Sequence, residues 1–229
     1  MGIILRITLR NIWYRYQSSR NWVLRRVSLE LESGEAVLVR GPNGSGKTTL
    51  LKIASLIYRP TIGSIYIDGE SFWDLDSRRQ VIHRRRIAFV HDRPVMLRGS
   101  VSYNIKIGLI IRGAGKDYIE KRYREIIEEL MLEKIENKNA NQLSAGQAHL
   151  VAIARALITQ PEILFLDEPF IHLDSDRRDL LARSLSRRRR DGVGLVIVSH
   201  DIDTARSIGI DRVLEMEQIN RYSIEQDSV

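Results

Sequence analysis

Gly41-Pro42-Asn43-Gly44-Ser45-Gly46-Lys47-Thr48 decides how the rest of the chain is read. The run fits the pattern Gly-x-x-x-x-Gly-Lys-Ser/Thr, and its flanks suit it. Glu35 to Arg40 reads as a short buried strand, and Thr49-Leu50-Leu51-Lys52-Ile53-Ala54-Ser55-Leu56 has the apolar spacing of a helix. A strand, a glycine-rich turn and a helix N-terminus together trap anions. The glycines let successive backbone N–H groups converge on phosphates, and the helix end adds partial positive charge. In such a loop Lys47 reaches the β- and γ-phosphates and the Thr48 hydroxyl ligates magnesium.

On the N-terminal side, Leu5, Ile7 and Leu9 alternate with Arg6, Thr8 and Arg10, the period of a strand with one wet face. Trp13-Tyr14-Arg15-Tyr16 follows, then a polar turn from Gln17 to Asn21, then a second strand through Val27, Leu29 and Leu31. Pro60 to Gly63 reads as a turn and Ser64 to Asp68 as a strand. These strands suggest an antiparallel layer attached to a parallel core.

On the C-terminal side, Ile87-Ala88-Phe89-Val90 is a short buried strand ending in His91-Asp92. Residues 93–140 read as a helical insertion, striped by Ile119, Tyr123, Ile126, Ile127 and Leu130 and broken at Gly113 and Gly115. Ile163-Leu164-Phe165-Leu166 and Leu195-Val196-Ile197-Val198 are continuous apolar runs, as in parallel strands buried on both faces. They end in Asp167-Glu168 and Ser199-His200-Asp201, and an α/β sheet carries its ligand chemistry at such ends.

Each polar residue has a structural reading beside its chemical one. Asp167 can support magnesium near Thr48, and Glu168 can activate an attacking water, although an Asp-Glu pair also caps helices. His200 can donate to developing charge, although a lone histidine is more often structural. Tyr16 or Trp13 can stack on a purine or simply pack in the sheet.

The chain has 229 residues, is 43% hydrophobic, and carries a formal charge of +7 with no cysteine. That is enough for a sizeable core, and it excludes disulfides and thiolate metal sites. No apolar run approaches the ~20 residues a bilayer span requires. The arginine in the opening Met1-Gly2-Ile3-Ile4-Leu5-Arg6-Ile7 argues against a secretory signal. Net positive charge suits polyanions, yet Arg84-Arg85-Arg86 and Arg187 to Arg190 lack interleaved aromatics. Both clusters read as solvated surface, with no specific nucleic acid expected.

At Leu143-Ser144-Ala145-Gly146-Gln147 the residues resemble the signature of ATP-binding cassette (ABC) transporter ATPases, Leu-Ser-Gly-Gly-Gln, with alanine for the first glycine. The resemblance covers nearly the whole chain. It implies a P-loop NTPase α/β fold with a mostly parallel sheet, an N-terminal antiparallel β layer and an inserted helical subdomain. That makes residues 1–229 a single domain, with residues 93–160 carrying the signature. It implies ATP and Mg2+ as cofactors, with Glu168 and His200 catalytic and Thr48, Asp92 and Asp167 at the metal. The nucleotide contacts implied are Tyr16 on adenine, Gly41, Pro42, Asn43, Gly44, Ser45, Gly46, Lys47, Thr48 and Thr49. Ser144, Ala145, Gly146 and Gln147 would act on nucleotide held by a second copy.

The implied partners are that second ATPase subunit, most simply in a homodimer, an integral membrane permease met around residues 91–113, and an extracytoplasmic solute-binding protein. The implied location is the cytoplasmic face of the membrane, as a peripheral subunit. Arg93 to Val101, Asn104-Ile105 and Gly108 to Gly113 resemble oxyanion importers of the tungstate and molybdate type. Soluble cassettes of DNA repair, chromosome maintenance or translation are the alternative, although those usually carry two cassettes, a coiled coil or metal-binding insertions.

Two places depart from the family pattern. Asp92 stands where glutamine is usual, which removes an amide donor and adds a negative charge. His91 would take that place if the register slipped by one, but Pro94 and Val95-Met96-Leu97 favour Asp92. Phe170-Ile171-His172, ahead of Leu173-Asp174, is also atypical of the loop that crosses the family's dimer interface.

Overall fold

The computed structural model describes residues 4–220; residues 1–3 of the apolar opening and 221–229 of the expected domain lie outside it. The chain begins with β1 (Arg6–Tyr14) and β2 (Leu24–Glu32), then β3 (Ala36–Arg40), which leads through the glycine-rich turn into α1 (Lys47–Ala54). β4 (Ile62–Ile67), β5 (Glu70–Ser71), α2 (Ser77–Arg85) and β6 (Ile87–Val90) follow. The helical stretch comprises α3 (Val101–Ile111), α4 (Lys116–Glu129) and α5 (Ala145–Leu157). β7 (Ile163–Asp167), α6 (Ser175–Arg190) and β8 (Gly194–Val198) return the chain to the core. α7 (Ile202–Ser207), β9 (Arg212–Glu215) and α8 (Met216–Ile219) complete it.

Two sheets result. One is parallel, in the order β6-β7-β8-β3-β9, and the other antiparallel, in the order β2-β1-β4-β5. The parallel strands are apolar on both faces because each face meets a different layer. Val37, Val39, Phe165, Val196 and Val198 enter one core with Ile7, Leu9 and Ile12 of β1 and Leu51 of α1. Leu38, Leu164, Leu166, Leu195 and Ile197 enter a second core with Ile105, Ile126, Ile153 and Leu185 from the helices. Burying a side chain of this size is worth about 1.5–3 kcal/mol. The expected stripe on α4 is this packing surface, with Ile119, Tyr123, Ile126 and Ile127 all buried.

The structure adjusts two expectations. The turn at Pro60 to Gly63 ends early, because Ile62 and Gly63 already belong to β4. The arginine clusters are solvated only in part. Arg84 lies over the Phe72 ring at 5.0 Å, and Arg86 pairs with Glu162 and Asp68, each at 2.6 Å. Arg187 to Arg190 form the last turn of α6, where Arg187 and Arg188 both reach Glu129 of α4 at 2.7 Å. Ser184 Oγ donates to the same carboxylate at 2.5 Å, and Arg189 Nε donates to Asp211 at 3.0 Å. Much of the excess positive charge is therefore spent joining elements.

Candidate functional site

The glycine-rich turn leaves β3 inside the parallel sheet, between β8 and β9 and two strands from β7. Gly46 caps α1 with φ +96°, and a Cβ there would lie 3.0 Å from Leu24 Cδ2 and 3.1 Å from the Val23 carbonyl. No larger residue fits that backbone without moving its neighbours. Lys47 Nζ donates to the Gly41 and Pro42 carbonyls at 2.7 and 2.9 Å, which ties the start of the loop to the first residue of α1. The far end of the chain buttresses it, since Asn220 Nδ2 donates to the Val23 and Ser45 carbonyls at 2.9 and 3.2 Å.

An open cleft of about 900 Å³ lies over this turn. Of the expected residues, Tyr16, Asn43, Gly44, Gly46, Lys47, Thr48, Thr49, Asp92, Asp167, Glu168 and His200 line it. Gly41, Pro42 and Ser45 belong to the turn without lining the cleft, and neither do Ser144, Ala145, Gly146 or Gln147. Ser144 and Ala145 are exposed at the start of α5, where Ser144 Oγ accepts the Gln147 N–H and Gln147 Oε1 accepts the Ser144 N–H. Tyr16, not Trp13, faces the cleft, and its hydroxyl hydrogen bonds Thr49 Oγ1 at 3.0 Å. Trp13 packs edge-on against Trp22 instead, with ring centroids 5.3 Å apart.

The acidic residues come together as their strand ends require. Thr48 Oγ1 donates to Asp167 Oδ2 at 2.8 Å, and burial raises the Asp167 pKa above its ordinary value while that hydrogen bond opposes the rise. Asp92 Oδ1 is closed off from solvent by the His91 imidazole, whose Nδ1 it contacts. The Thr48 hydroxyl, the buried Asp167 carboxylate and the nearby Asp92 carboxylate are a hard-oxygen donor set that fits a divalent cation such as Mg2+. Glu168 adopts φ +52°, off the extended path of β7, and its Oε2 accepts the His200 N–H at 3.1 Å. Its pKa is raised, chiefly by burial, with the His200 hydrogen bond and charge opposing. His200 Nε2 lies 3.4 Å from Glu168 Oε1. This pairing can hold a carboxylate base beside a donor for developing charge.

Sequence reading passed over several residues of the site. Arg178 lines the cleft and pairs with Asp201 at 3.1 Å, four residues beyond Asp174, which caps α6. His172, at φ +63°, also lines the cleft, and its carbonyl covers Gly146 so closely that a Cβ there would overlap it. His149, on α5, lies behind the cleft wall without lining it; it is 1% exposed, and burial lowers its pKa. Only the atypical Phe170-Ile171-His172 gave any signal of this.

A phosphate loop, a histidine at the neighbouring strand end and a carboxylate pair at the next define a P-loop ATPase. Within that class the chain belongs to the ABC transporter family, whose model matches residues 24–171, and it is that family's ATP-hydrolysing domain. It is 34% identical over 201 residues to the phosphate import ATP-binding protein PstB 2 of Natronomonas pharaonis, covering 84% of this chain and 70% of that protein. It is 36% identical over 196 residues to the molybdate/tungstate import ATP-binding protein WtpC of Thermococcus kodakarensis, with 85% of this chain covered. That match spans 58% of the WtpC length. Among solved structures, the dimeric post-hydrolysis form of the ATP-binding cassette MJ0796 of Methanocaldococcus jannaschii, bound to ADP and Pi, superposes with a TM-score of 0.81. The two are 35% identical, over 91% of this chain and 93% of that one. No helix among the described residues is long and apolar enough to cross a membrane.

Proposed function

We propose that two copies of this chain close around two Mg·ATP and power a separate membrane permease, as the peripheral ATPase of an importer on the cytoplasmic face. In this reading residues 1–229 act as one cassette, and residues 93–160 are the subdomain that carries the signature. The turn from Gly41 to Thr49 binds the phosphates and Tyr16 stacks on adenine. Thr48, Asp92 and Asp167 hold Mg2+, which when bound neutralises charge on the β- and γ-phosphates. Glu168 takes the proton of the attacking water, and the His200 imidazole donates to the oxygen that gains charge.

The observation that carries the reading is the separation within one chain. Ser144 to Gln147 do not line the cleft that Lys47, Glu168 and His200 share, and Ser144 and Ala145 face solvent. A signature motif in this position serves the nucleotide of another copy. That the similar MJ0796 cassette is dimeric with ADP and Pi bound supports the pairing of two copies.

Relatives named for import of phosphate, of molybdate or tungstate, and of spermidine or putrescine support an importer. A small oxyanion is the cargo we propose for it, with an extracytoplasmic solute-binding protein as partner. The soluble alternative in DNA or ribosome work gains no support from these matches. Specific ATPase activity measured against protein concentration tests the dimer. It should rise as dimer forms, and a value that stays flat where sedimentation shows only monomer would refute it.

A further inference from the structure

The last described helix packs against the phosphate loop at two points. α8 follows β9, which pairs with β3 so that Glu215 stands opposite Arg40, the residue just before the loop. Met216 packs against the first loop residue, since a Cβ added at Gly41 would come within 2.9 Å of the Met216 Cβ. One turn on, Asn220 caps α8, with its N–H donated to the Met216 carbonyl at 2.8 Å. Asn220 is 6% exposed, and its carboxamide uses every polar group it has. Nδ2 donates to the Val23 and Ser45 carbonyls at 2.9 and 3.2 Å, and Oδ1 accepts the Arg25 N–H at 2.7 Å. This set of partners needs an amide. A carboxylate has no hydrogen for either carbonyl, and a flipped amide would turn its oxygen against both.

The bond to Ser45 bears on the phosphate site, because a trans peptide points its C=O and its N–H in opposite directions. Asn220 does not line the cleft, whereas Gly46 does. Drawing the Ser45 carbonyl toward Asn220 therefore turns the Gly46 N–H away from α8 and toward the cleft. The bonds to Val23 and Arg25 hold the start of β2 in the same frame. Val23 lines the cleft, and its N–H donates to the Tyr14 carbonyl at 2.8 Å, two residues before Tyr16. One buried side chain thus sets the phosphate side of the cleft against its aromatic side.

We propose that Asn220 is a positioning residue for nucleotide binding, which holds the Ser45–Gly46 peptide in the orientation that receives a phosphate oxygen. It acts through the loop without touching nucleotide, and the role rests on the ATP reading of the cleft. Coupling of this kind is reciprocal. A nucleotide that binds better when α8 is docked must dock α8 better by the same factor.

The test is a Mg·ATP titration of the full chain by calorimetry, with steady-state ATPase activity on the same samples. Asn220→Ala should weaken Mg·ATP binding by ~10-fold, within the usual span of coupling between two sites. KM should rise with it while kcat at saturating nucleotide stays within about twofold, the split that marks lost binding and intact chemistry. Asn220→Asp keeps the acceptor for Arg25 and removes both donors, so it should weaken binding at least as much. Glu129→Ala is the control, because it loosens the contact between α4 and α6 without touching the loop, and its affinity should match wild type. Circular dichroism shows that each variant folds. Wild type supplies a readout that needs no variant: Mg·ATP should slow hydrogen exchange of the Arg25 amide, which is bonded to Asn220 Oδ1. Wild-type affinity in both Asn220 variants, a fall in kcat without a rise in KM, an equal loss in Glu129→Ala, or unchanged exchange at Arg25 would each overturn the proposal. If wild type itself binds no Mg·ATP, the reading of the cleft fails instead.

Discussion

Glu168 and Asp167 are neighbours with opposite demands. Glu168 acts as a base only when ionised, and burial raises its pKa above that of a free glutamate. Turnover should therefore fall on acidification at a higher pH than a free glutamate would impose, and kcat against pH checks this. Glu168→Gln should lower turnover by ~10²–10⁴-fold, leave ATP binding intact, and flatten the acid limb of that profile. Asp167 shows the cost of the site to the fold. Its pKa is raised above 3.8 in the folded chain, so its ionised form opposes folding when no cation is bound. The Asp167 contribution to stability should rise as pH falls through its raised pKa, with the gain complete below the ordinary aspartate value of 3.8. Asp167→Asn keeps an acceptor for Thr48 and removes the buried charge. In nucleotide-free, chelated samples it should raise Tm by about 2–4 °C, on the order of 1 kcal/mol for a chain of this size, while abolishing metal-dependent nucleotide binding. An unchanged or lower Tm would show that burial of this carboxylate carries no penalty.

Among the elements, α4 and α6 are joined by one carboxylate. The Glu129 side chain is 11% exposed and that of Arg188 15%, so removing either leaves its partner charged in a closed space. Glu129→Ala should cost roughly 3 kcal/mol in urea denaturation, and Arg188→Ala in the same background should add little, since the pair acts as a unit. Changing Arg187 to Arg190 together to glutamine should likewise lower stability. It should not alter DNA or RNA binding at about 0.15 M salt, where surface charge is screened. This joint was not legible in the sequence, because Glu129 stands 59 residues from Arg188. What could be read was local. The strand–loop–helix of the phosphate site and the apolar runs of β7 and β8 follow from order and periodicity. α2, which buries no residue, and the short α7, β9 and α8 gave no such pattern. The Asn220 contacts to Val23 and Ser45 were hidden for the same reason as the Glu129 joint, since they span 197 and 175 residues.

Over the whole molecule, charge and apolar exposure fall in different places. Many arginines are tied to acids within the chain, whereas Val95 and Ile111 are 78% and 74% exposed, with Tyr103 and Ile110 also uncovered. These residues lie in or beside the 91–113 stretch proposed to meet the permease. Val95→Asp and Ile111→Asp should leave the ATPase activity of the purified chain within about twofold of wild type, because neither lines the cleft. Both should prevent co-purification with the permease and its stimulation of turnover. Equal recovery of the complex with the charged variants would move the contact elsewhere.

The overlap at Gly146 has a consequence for how this chain can drift. Positions 145 and 146 are adjacent in one motif, yet different surroundings govern them. Position 145 opens to solvent, and the chain carries alanine there. At 146 the first carbon of any side chain would strike the His172 carbonyl, which belongs to the wall of the cleft. Within a single chain, substitutions can therefore accumulate at 145 one at a time. At 146 a change requires the backbone of residues 170–172 to shift with it, so the stretch Phe170-Ile171-His172 and the glycine it covers are sterically one unit.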